Sequence, residues 1–266
     1  MASVFEFHFN PLLRPFGASE GQANPKQNDS VFDTFCFLPQ TLFEKKQGNL
    51  YLVAEIKNPA QNSQLVLNRT AEIIKKYFYQ KPVFTSQDSF QLGLNQANDF
   101  LSDWQGNLNF AAIVVGPKCN IKVSKTGNLK IILFRDNEAF DIGSNFDSHI
   151  TSGKIFPDVI EGNLQKGDRL LVATSEVFHS FQNEQILENL AQRQKPKLIK
   201  QVFKEKKKIL REFSGACLLA FVKKRWLVSA FFFWDDFDSK QKTVFLTAVS
   251  FFLLAIALSV GYFTFR

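Results

Sequence analysis

Apolar and polar positions along this chain follow two periods, and the switches between them predict its elements. Residues 50–56 (Leu-Tyr-Leu-Val-Ala-Glu-Ile) are a short apolar run, predicted as a strand, and 57–63 read as a turn. Ile73, Ile74, Tyr77 and Phe78 share one face of a helix predicted over 70–79. Phe90, Leu94, Ala97, Leu101 and Trp104 recur at the same spacing and predict a second helix over 89–104. Strands are predicted at 110–115, 120–124 and 129–135, with Gly116-Pro117 and Thr126-Gly127-Asn128 as turns, which together read as a meander. Residues 168–174 (Asp-Arg-Leu-Leu-Val-Ala-Thr) predict a buried strand. The stretch 184–213 reads as mostly helical with a break near Pro196, 216–222 as a strand, and 226–234 as one more. Up to residue 47 the pattern is irregular, with Pro, Gly, Asn and Gln clustered between Pro11 and Ser30. Runs of strands interleaved with helix pairs predict an α+β sandwich.

The period disappears after residue 242. From 243 to 265 no residue is charged, and a helix of that length rises far enough to cover a hydrocarbon layer about 30 Å thick. An apolar surface on every side predicts a transmembrane helix rather than a core helix. Lys240 and Lys242 precede the run, with Lys223, Lys224 and Arg225 further back, and Arg266 follows it. The cation bias predicts a single-pass protein of the cell membrane with its N-terminal domain in the cytoplasm. Trp234 and Tyr262 suit interface anchors. The expected organisation is a cytoplasmic domain over 1–234, a charged linker over 235–242 containing Asp235, Asp236 and Asp238, and the membrane helix over 243–265. The first ten residues lack the basic start and apolar core of a signal peptide.

Composition narrows the chemistry. The 31 Phe residues predict a Phe-rich core and no particular function. Cys36, Cys119 and Cys217 are far apart and odd in number, so no disulfide framework or zinc ribbon is encoded, and free thiols suit a reducing compartment. Walker A and G-x-G-x-x-G patterns are absent. His8, His149 and His179 have no partner at metal spacing and read as structural.

The succession of elements resembles the metal-dependent PP2C-type (PPM) serine/threonine phosphatases, including the SpoIIE-like bacterial enzymes, over about residues 17–222. Gly17-Ala-Ser-Glu-Gly21 followed by Lys26-Gln-Asn28-Asp29 is similar to the family's opening strand and Arg-x-x-Asn-Glu-Asp. Residues 50–56 sit where the family has an apolar strand ending in Asp-Gly, and 90–104 resemble its helix of the type Ala-Phe-x-x-Ala-Asn-x-x-Leu. Residues 120–135 resemble the paired strands carrying Val-Gly-Asp-Ser-Arg. The best local match is 168–176, to Asp-x-Leu-Leu-Leu-x-Ser-Asp-Gly. Ser214-Gly215 sit where Asp-Asn opens the last core strand. The resemblance implies a PPM/PP2C-like sandwich of two antiparallel sheets flanked by helices. It also implies a chemistry in which two Mg²⁺ or Mn²⁺ ions, held by carboxylates, activate a water.

The carboxylates are mostly replaced. The first Asp-Gly is Glu55-Ile56, the later one Ser175-Glu176, the final Asp-Asn is Ser214-Gly215, the turn Asp is Asn128, and the phosphate-binding Arg is at best Lys26. Two adjacent divalent ions would repel each other without compensating charge. The expected reading is a membrane-anchored pseudophosphatase with no catalytic residue, no metal ligand and no cofactor, acting as a binding or regulatory module on a protein partner at the inner membrane face. The second reading is an active serine/threonine protein phosphatase with a rearranged Mn²⁺ or Mg²⁺ site around Asp29, Glu55 and Glu176. A third is a membrane protein unrelated to phosphatases whose strand pattern imitates the family.

One charged surface stands out. The nine Lys and Arg of residues 193–211, set against Glu205 and Glu212, leave a surplus of seven, which equals the net charge of the whole chain, +7. Leu198, Ile199, Val202, Phe203, Ile209, Leu210 and Phe213 form an apolar stripe, with cations on the other faces. Lys200, Lys204, Lys207, Lys208 and Arg211 are the candidate basic face for anionic lipid headgroups or a partner, with a merely solvated face as the alternative. Nucleic acid is disfavoured because the aromatics fall in the apolar stripe and leave no stacking platform.

Overall fold

The computed structural model describes residues 2–9, 30–80, 88–104, 107–146, 154–156 and 159–222, all within one compact unit, Met1–Lys223. The predicted strand at 226–234, linker and membrane helix over 243–265, together with Gly17, Lys26, Asp29 and His149, lie outside the described residues. Among the described residues no helix is long and apolar enough to cross a membrane.

Among the described residues, ten strands form two antiparallel five-stranded sheets. The first sheet has the order β1-β10-β9-β6-β7, from β1 (Ala2–Phe9), β6 (Lys130–Arg135), β7 (Glu138–Asp141), β9 (Arg169–Ala173) and β10 (Gly215–Val222). The second has the order β2-β3-β4-β5-β8, from β2 (Ser30–Phe37), β3 (Asn49–Lys57), β4 (Asn107–Val115), β5 (Asn120–Thr126) and β8 (Ile160–Asn163). The helices are α1 (Leu42–Gln47), α2 (Ser63–Tyr79), α3 (Ser89–Phe100), α4 (Ser175–Asn183), α5 (Ile186–Gln192) and α6 (Pro196–Glu205). The expected sandwich of two sheets flanked by helices is present.

Strand period explains the layers. Successive side chains point to opposite faces. In β3, Tyr51 and Val53 join Ala111, Ile113, Leu170, Val172, Leu218 and Ala220 in the core between the sheets. The alternate residues Leu50, Leu52 and Ala54 pack with Ile74, Phe78, Phe90 and Leu94 under α2 and α3. On the far side Phe134, Leu171, Cys217 and Leu219 pack with Phe181, Leu190, Ile199 and Phe203 of α4, α5 and α6. Strands buried on both faces read as continuous apolar runs, which is why β3, β4, β9 and β10 were predicted close to their observed bounds.

Several elements differ from expectation. The segment read as irregular holds β1, β2 and α1. The two strands lie at the same side of the sandwich as edge strands, half-buried, so they present no continuous apolar run. Helix α1 carries a capping box, with Thr41 and Glu44 satisfying each other's backbone N–H groups. Helix α2 starts at Ser63, within the predicted turn, where it buries Ser63 and, one turn on, Leu67. Helix α4 occupies 175–183, ahead of the predicted helical region. The polar edge strands β7 and β8 were not anticipated. Asp136 and Asn137 both have positive φ, 51° and 67°, which closes β6 and β7 as a tight hairpin.

The meander is corrected as well. Strand β5 pairs with β4 and β8, whereas β6 pairs with β9 and β7. Residues 127–129 therefore cross from one sheet to the other instead of turning a hairpin. Leu129 is fully buried in the inter-sheet core along the way, and Ile131 continues that core from the opposite sheet.

A buried cation fastens the outer helices to the first sheet. Arg169 on β9 is 2% exposed. Its guanidinium donates to the carbonyls of Leu190, Ala191 (3.0 Å) and Arg193 (2.7 Å) at the end of α5 and lies over the Phe134 ring. Burial pushes its pKa down, partly offset by the neighbouring Asp168. Three carbonyls would lose their donor in Arg169→Ala, and a cavity would open beside Phe134. The variant is expected to lose about 3 kcal/mol or more in urea unfolding, with its secondary structure retained at low denaturant. A loss below about 1 kcal/mol would show that α5 does not depend on this clamp.

Candidate functional site

One rim of the sandwich collects the positions singled out by the sequence. It is formed by the end of β3, the start of β4, the β5–β6 crossover, the β9–α4 junction and the start of β10. Glu55 on β3 stands directly opposite Asn109 on β4. Both are buried, Glu55 at 3% exposure and Asn109 at 7%. Asn109 donates from Nδ2 to Glu55 Oε2 at 2.8 Å, and its Oδ1 accepts the backbone N–H of Asn128 at 2.9 Å. Ser175 Oγ donates to the Asn128 carbonyl at 2.6 Å. Glu176, exposed in the first turn of α4, accepts the Ser214 backbone N–H at 3.0 Å.

Two glycines permit this closure. Gly127 has φ +70°, and a Cβ there would stand 2.1 Å from Asn109 Oδ1. Gly215 has φ +143°, and a Cβ would stand 2.2 Å from Thr174 Oγ1, a buried hydroxyl with no hydrogen-bond partner among the described residues. Left-handed backbone favours glycine at both points.

The rim thus brings together Glu55, Asn128, Ser175 and Ser214, the four described positions that the family resemblance matched to acidic residues. Only one carries a carboxylate, and its neighbours are joined to one another directly. Glu176 lies at the same rim with its carboxylate turned to Ser214. Hard divalent cations need several anionic oxygens free to turn toward them. Among the described residues this donor set does not fit a pair of such ions, and no three His, Cys, Asp or Glu side chains gather as a metal ligand set. Asp29, the remaining candidate, lies outside the described residues.

Sequence reading missed the groups that do the joining. Asn109 had no motif to mark it, although it is a polar residue interrupting an apolar strand. Lys125 on β5 is 3% exposed, with its Nζ donating to the Leu129 carbonyl at 3.2 Å beside the crossover. On the β1–β2 side, Thr34 donates from Oγ1 to Glu6 at 3.1 Å and shares a 2.7 Å hydrogen bond with His8 Nε2, with Asp33 at 4.0 Å from the ring. These contacts link the edge strands of the two sheets. His8 takes part in this link. Cys217 is buried, whereas Cys119 is only half-buried. Cys36 is half-buried, and burial and then Glu6 push its thiol pKa up.

The basic residues are distributed over a separate surface. Lys200 and Lys204 lie on α6, Lys207 and Lys208 in the turn after it, and all four are exposed. Arg211 ends the short 3₁₀ turn Ile209–Arg211.

Burial raises the pKa of the Glu55 carboxyl. The Asn109 hydrogen bond and the Lys57 charge oppose the rise, and Glu176 adds to it. A carboxyl raised in the folded chain contributes stability that is fully present below its ordinary value and lost as pH rises through the raised one. Glu55→Gln keeps an acceptor for Asn109 and removes the buried charge. It is expected to melt above the wild type at pH 8 and with it at about pH 4. A melting difference independent of pH would contradict this assignment.

No protein-family model and no curated protein sequence matches the chain. Solved structures do. The chain is similar to the serine/threonine phosphatase PstP of Mycobacterium tuberculosis, with a TM-score of 0.56 and 13% identity, over 84% of this chain and 99% of that one. It is similar to PppA of Pseudomonas aeruginosa at TM-score 0.53 and 10% identity, over 83% and 97% of the two chains. The phosphatase domain of SpoIIE from Bacillus subtilis aligns at TM-score 0.50 and 13% identity, over 85% and 94%. Two helix-flanked antiparallel sheets, aligned over nearly the full length of these domains, give the chain the fold of the PP2C/PPM phosphatases.

Proposed function

We propose that this chain is a membrane-anchored, non-catalytic PPM-type phosphatase-like module that holds a protein partner, such as a phosphoprotein, at the cytoplasmic face of the cell membrane. The observation that carries the non-catalytic reading is the chemistry of the rim. Three of the four described positions matched to acidic residues are neutral, and the rim is closed by the Glu55–Asn109–Asn128–Ser175 hydrogen-bond chain. A water bridging two metal ions needs charge that these side chains do not supply. The anchor rests on the uncharged run 243–265 and its flanking cations. A surface that retains the family's shape without its charge can still bind a partner, because fold and chemistry are separable.

One observation favours the second reading, an active phosphatase with Mn²⁺ or Mg²⁺ at a rearranged site. Glu55 and Glu176 are near enough for each to feel the other's charge. The two readings separate in one experiment on the full chain. With Mn²⁺ or Mg²⁺ present, hydrolysis of p-nitrophenyl phosphate is expected to run no faster than in the variant with Glu55→Ala and Glu176→Ala. Calorimetric titration with Mn²⁺ is expected to show no tight binding of two ions. Metal-dependent turnover that vanishes in the variant would replace the binding module with a membrane-bound phosphatase.

A further inference from the structure

Helix α6 lies along the edge strand β1. Ile199, Val202 and Phe203 are buried, and Phe203 stacks on Phe7 at 4.2 Å. Lys200 Nζ stands 4.7 Å from the Phe5 ring centre. The helix therefore passes Phe5 first and Phe7 next, running along β1 from its start toward its end. Lys197, Lys200 and Lys204 recur at i, i+3 and i+7, one line on a helix surface, and all three are exposed. Lys207 and Lys208 follow in the next turn, exposed as well. None of these five forms an ion pair among the described residues, whereas Lys206, buried more deeply, is paired with Glu184 at 3.0 Å.

The stripe begins where the chain leaves the sheet. Strand β10 pairs with β1 and ends at Val222, opposite Ala2. Arg169, opposite Phe221, reaches the carbonyl of Arg193 just before α6. The next residues are Lys223, Lys224 and Arg225, and the uncharged run 243–265 follows.

We propose that the lysine stripe of α6 is a docking surface for an anionic phospholipid bilayer, which sets the domain down on its α6 side. The inference extends the membrane-anchored reading above and shares its membrane. An uncompensated line of ammonium groups suits a sheet of phosphates, to which each lysine adds attraction within about 10 Å of the surface. Leu198, 41% exposed beside the line, is placed to meet the apolar boundary beneath the headgroups. A nucleic acid is the poorer fit, since single strands need exposed rings to stack on, and Phe203 is 7% exposed.

The test is lysine labelling of the full chain with a membrane-impermeant amine reagent, read residue by residue by mass spectrometry. The protein is mixed with nanodiscs of neutral phosphatidylcholine or of phosphatidylcholine containing one-quarter phosphatidylglycerol. Lys197, Lys200, Lys204, Lys207 and Lys208 are expected to label several-fold more slowly with the anionic discs than with the neutral ones. The protection should disappear at about 0.5 M salt. The variant with Lys197→Glu, Lys200→Glu and Lys204→Glu should lose it at Lys207 and Lys208, with an unchanged circular dichroism spectrum. Equal labelling in both discs, with the chain incorporated, overturns the stripe and leaves the anchor. Protection by anionic discs without incorporation into neutral ones supports the stripe and overturns the anchor. Protection by a DNA duplex in neutral discs, with none from the anionic lipid, overturns the lipid reading in favour of nucleic acid.

Discussion

Each sheet of this protein is covered on both faces at its centre, and that double burial organises everything else. The middle strands β3, β4, β9 and β10 face helices on one side and the opposite sheet on the other. Apolar side chains can fill both directions without cost, so a polar group can enter only at the strand ends, where the layers stop. The sandwich has two such rims. The only carboxylate on the centre strands that turns into the inter-sheet space among the described residues, Glu55, sits at one of them, two residues before β3 ends.

At that rim the energetic problem is to keep a buried polar set satisfied. A group of facing carboxylates would need cations to hold it together. Here amide and hydroxyl groups bond to one another and to the two single carboxylates Glu55 and Glu176 instead, and each bond ties a different element to its neighbour: β3 to β4, β4 to the crossover, the crossover to α4, and α4 to the start of β10. Neutral partners achieve with hydrogen bonds what paired ions and carboxylates would achieve with charge. The exchange leaves Glu55 as the buried acid of the set, and burial raises its pKa even though Asn109 donates to it. Thr174, whose hydroxyl has no partner among the described residues, is the point where the closure is incomplete.

The same double burial decides what could be read from the sequence. Strands β3, β4, β9 and β10 were visible because burial on both faces writes a continuous apolar run. Helix α3 was visible because Phe90, Leu94 and Ala97 repeat on one face. Edge strands carry no such signature. The residues Ser-Val-Phe-Asp-Thr-Phe-Cys-Phe of β2 are half-buried except for the buried Thr34, and β8 is exposed throughout. Two signals were available and unused, the Thr41–Glu44 capping box of α1 and the Asp136-Asn137 turn of the β6–β7 hairpin. The crossover at 127–129 could not be read at all, because a turn sequence does not say which sheet the next strand joins. For the site, the motif positions Glu55, Asn128, Ser175 and Ser214 were readable as a set. Asn109, which binds two of them, was not, since its role depends on the register that puts it opposite Glu55.

Register also relates the two surfaces of interest. Strand β10 begins at Gly215, inside the polar rim, and ends at Val222, where the chain leaves the sheet. Its eight residues span about 23 Å. Arg169 and β10 mark the exit end, and α6 starts there, so the lysine line runs from the exit toward the rim along the outer flank of the first sheet. A bilayer touching that line would leave the rim open to the side, because the rim is built from the strand ends and α6 covers only the outer face. A partner could then reach Asn128, Ser175 and Glu176 without passing between the domain and the membrane. The geometry separates the surface that would hold the domain down from the surface that would read a partner, and β10, which connects them, is buried along its whole length.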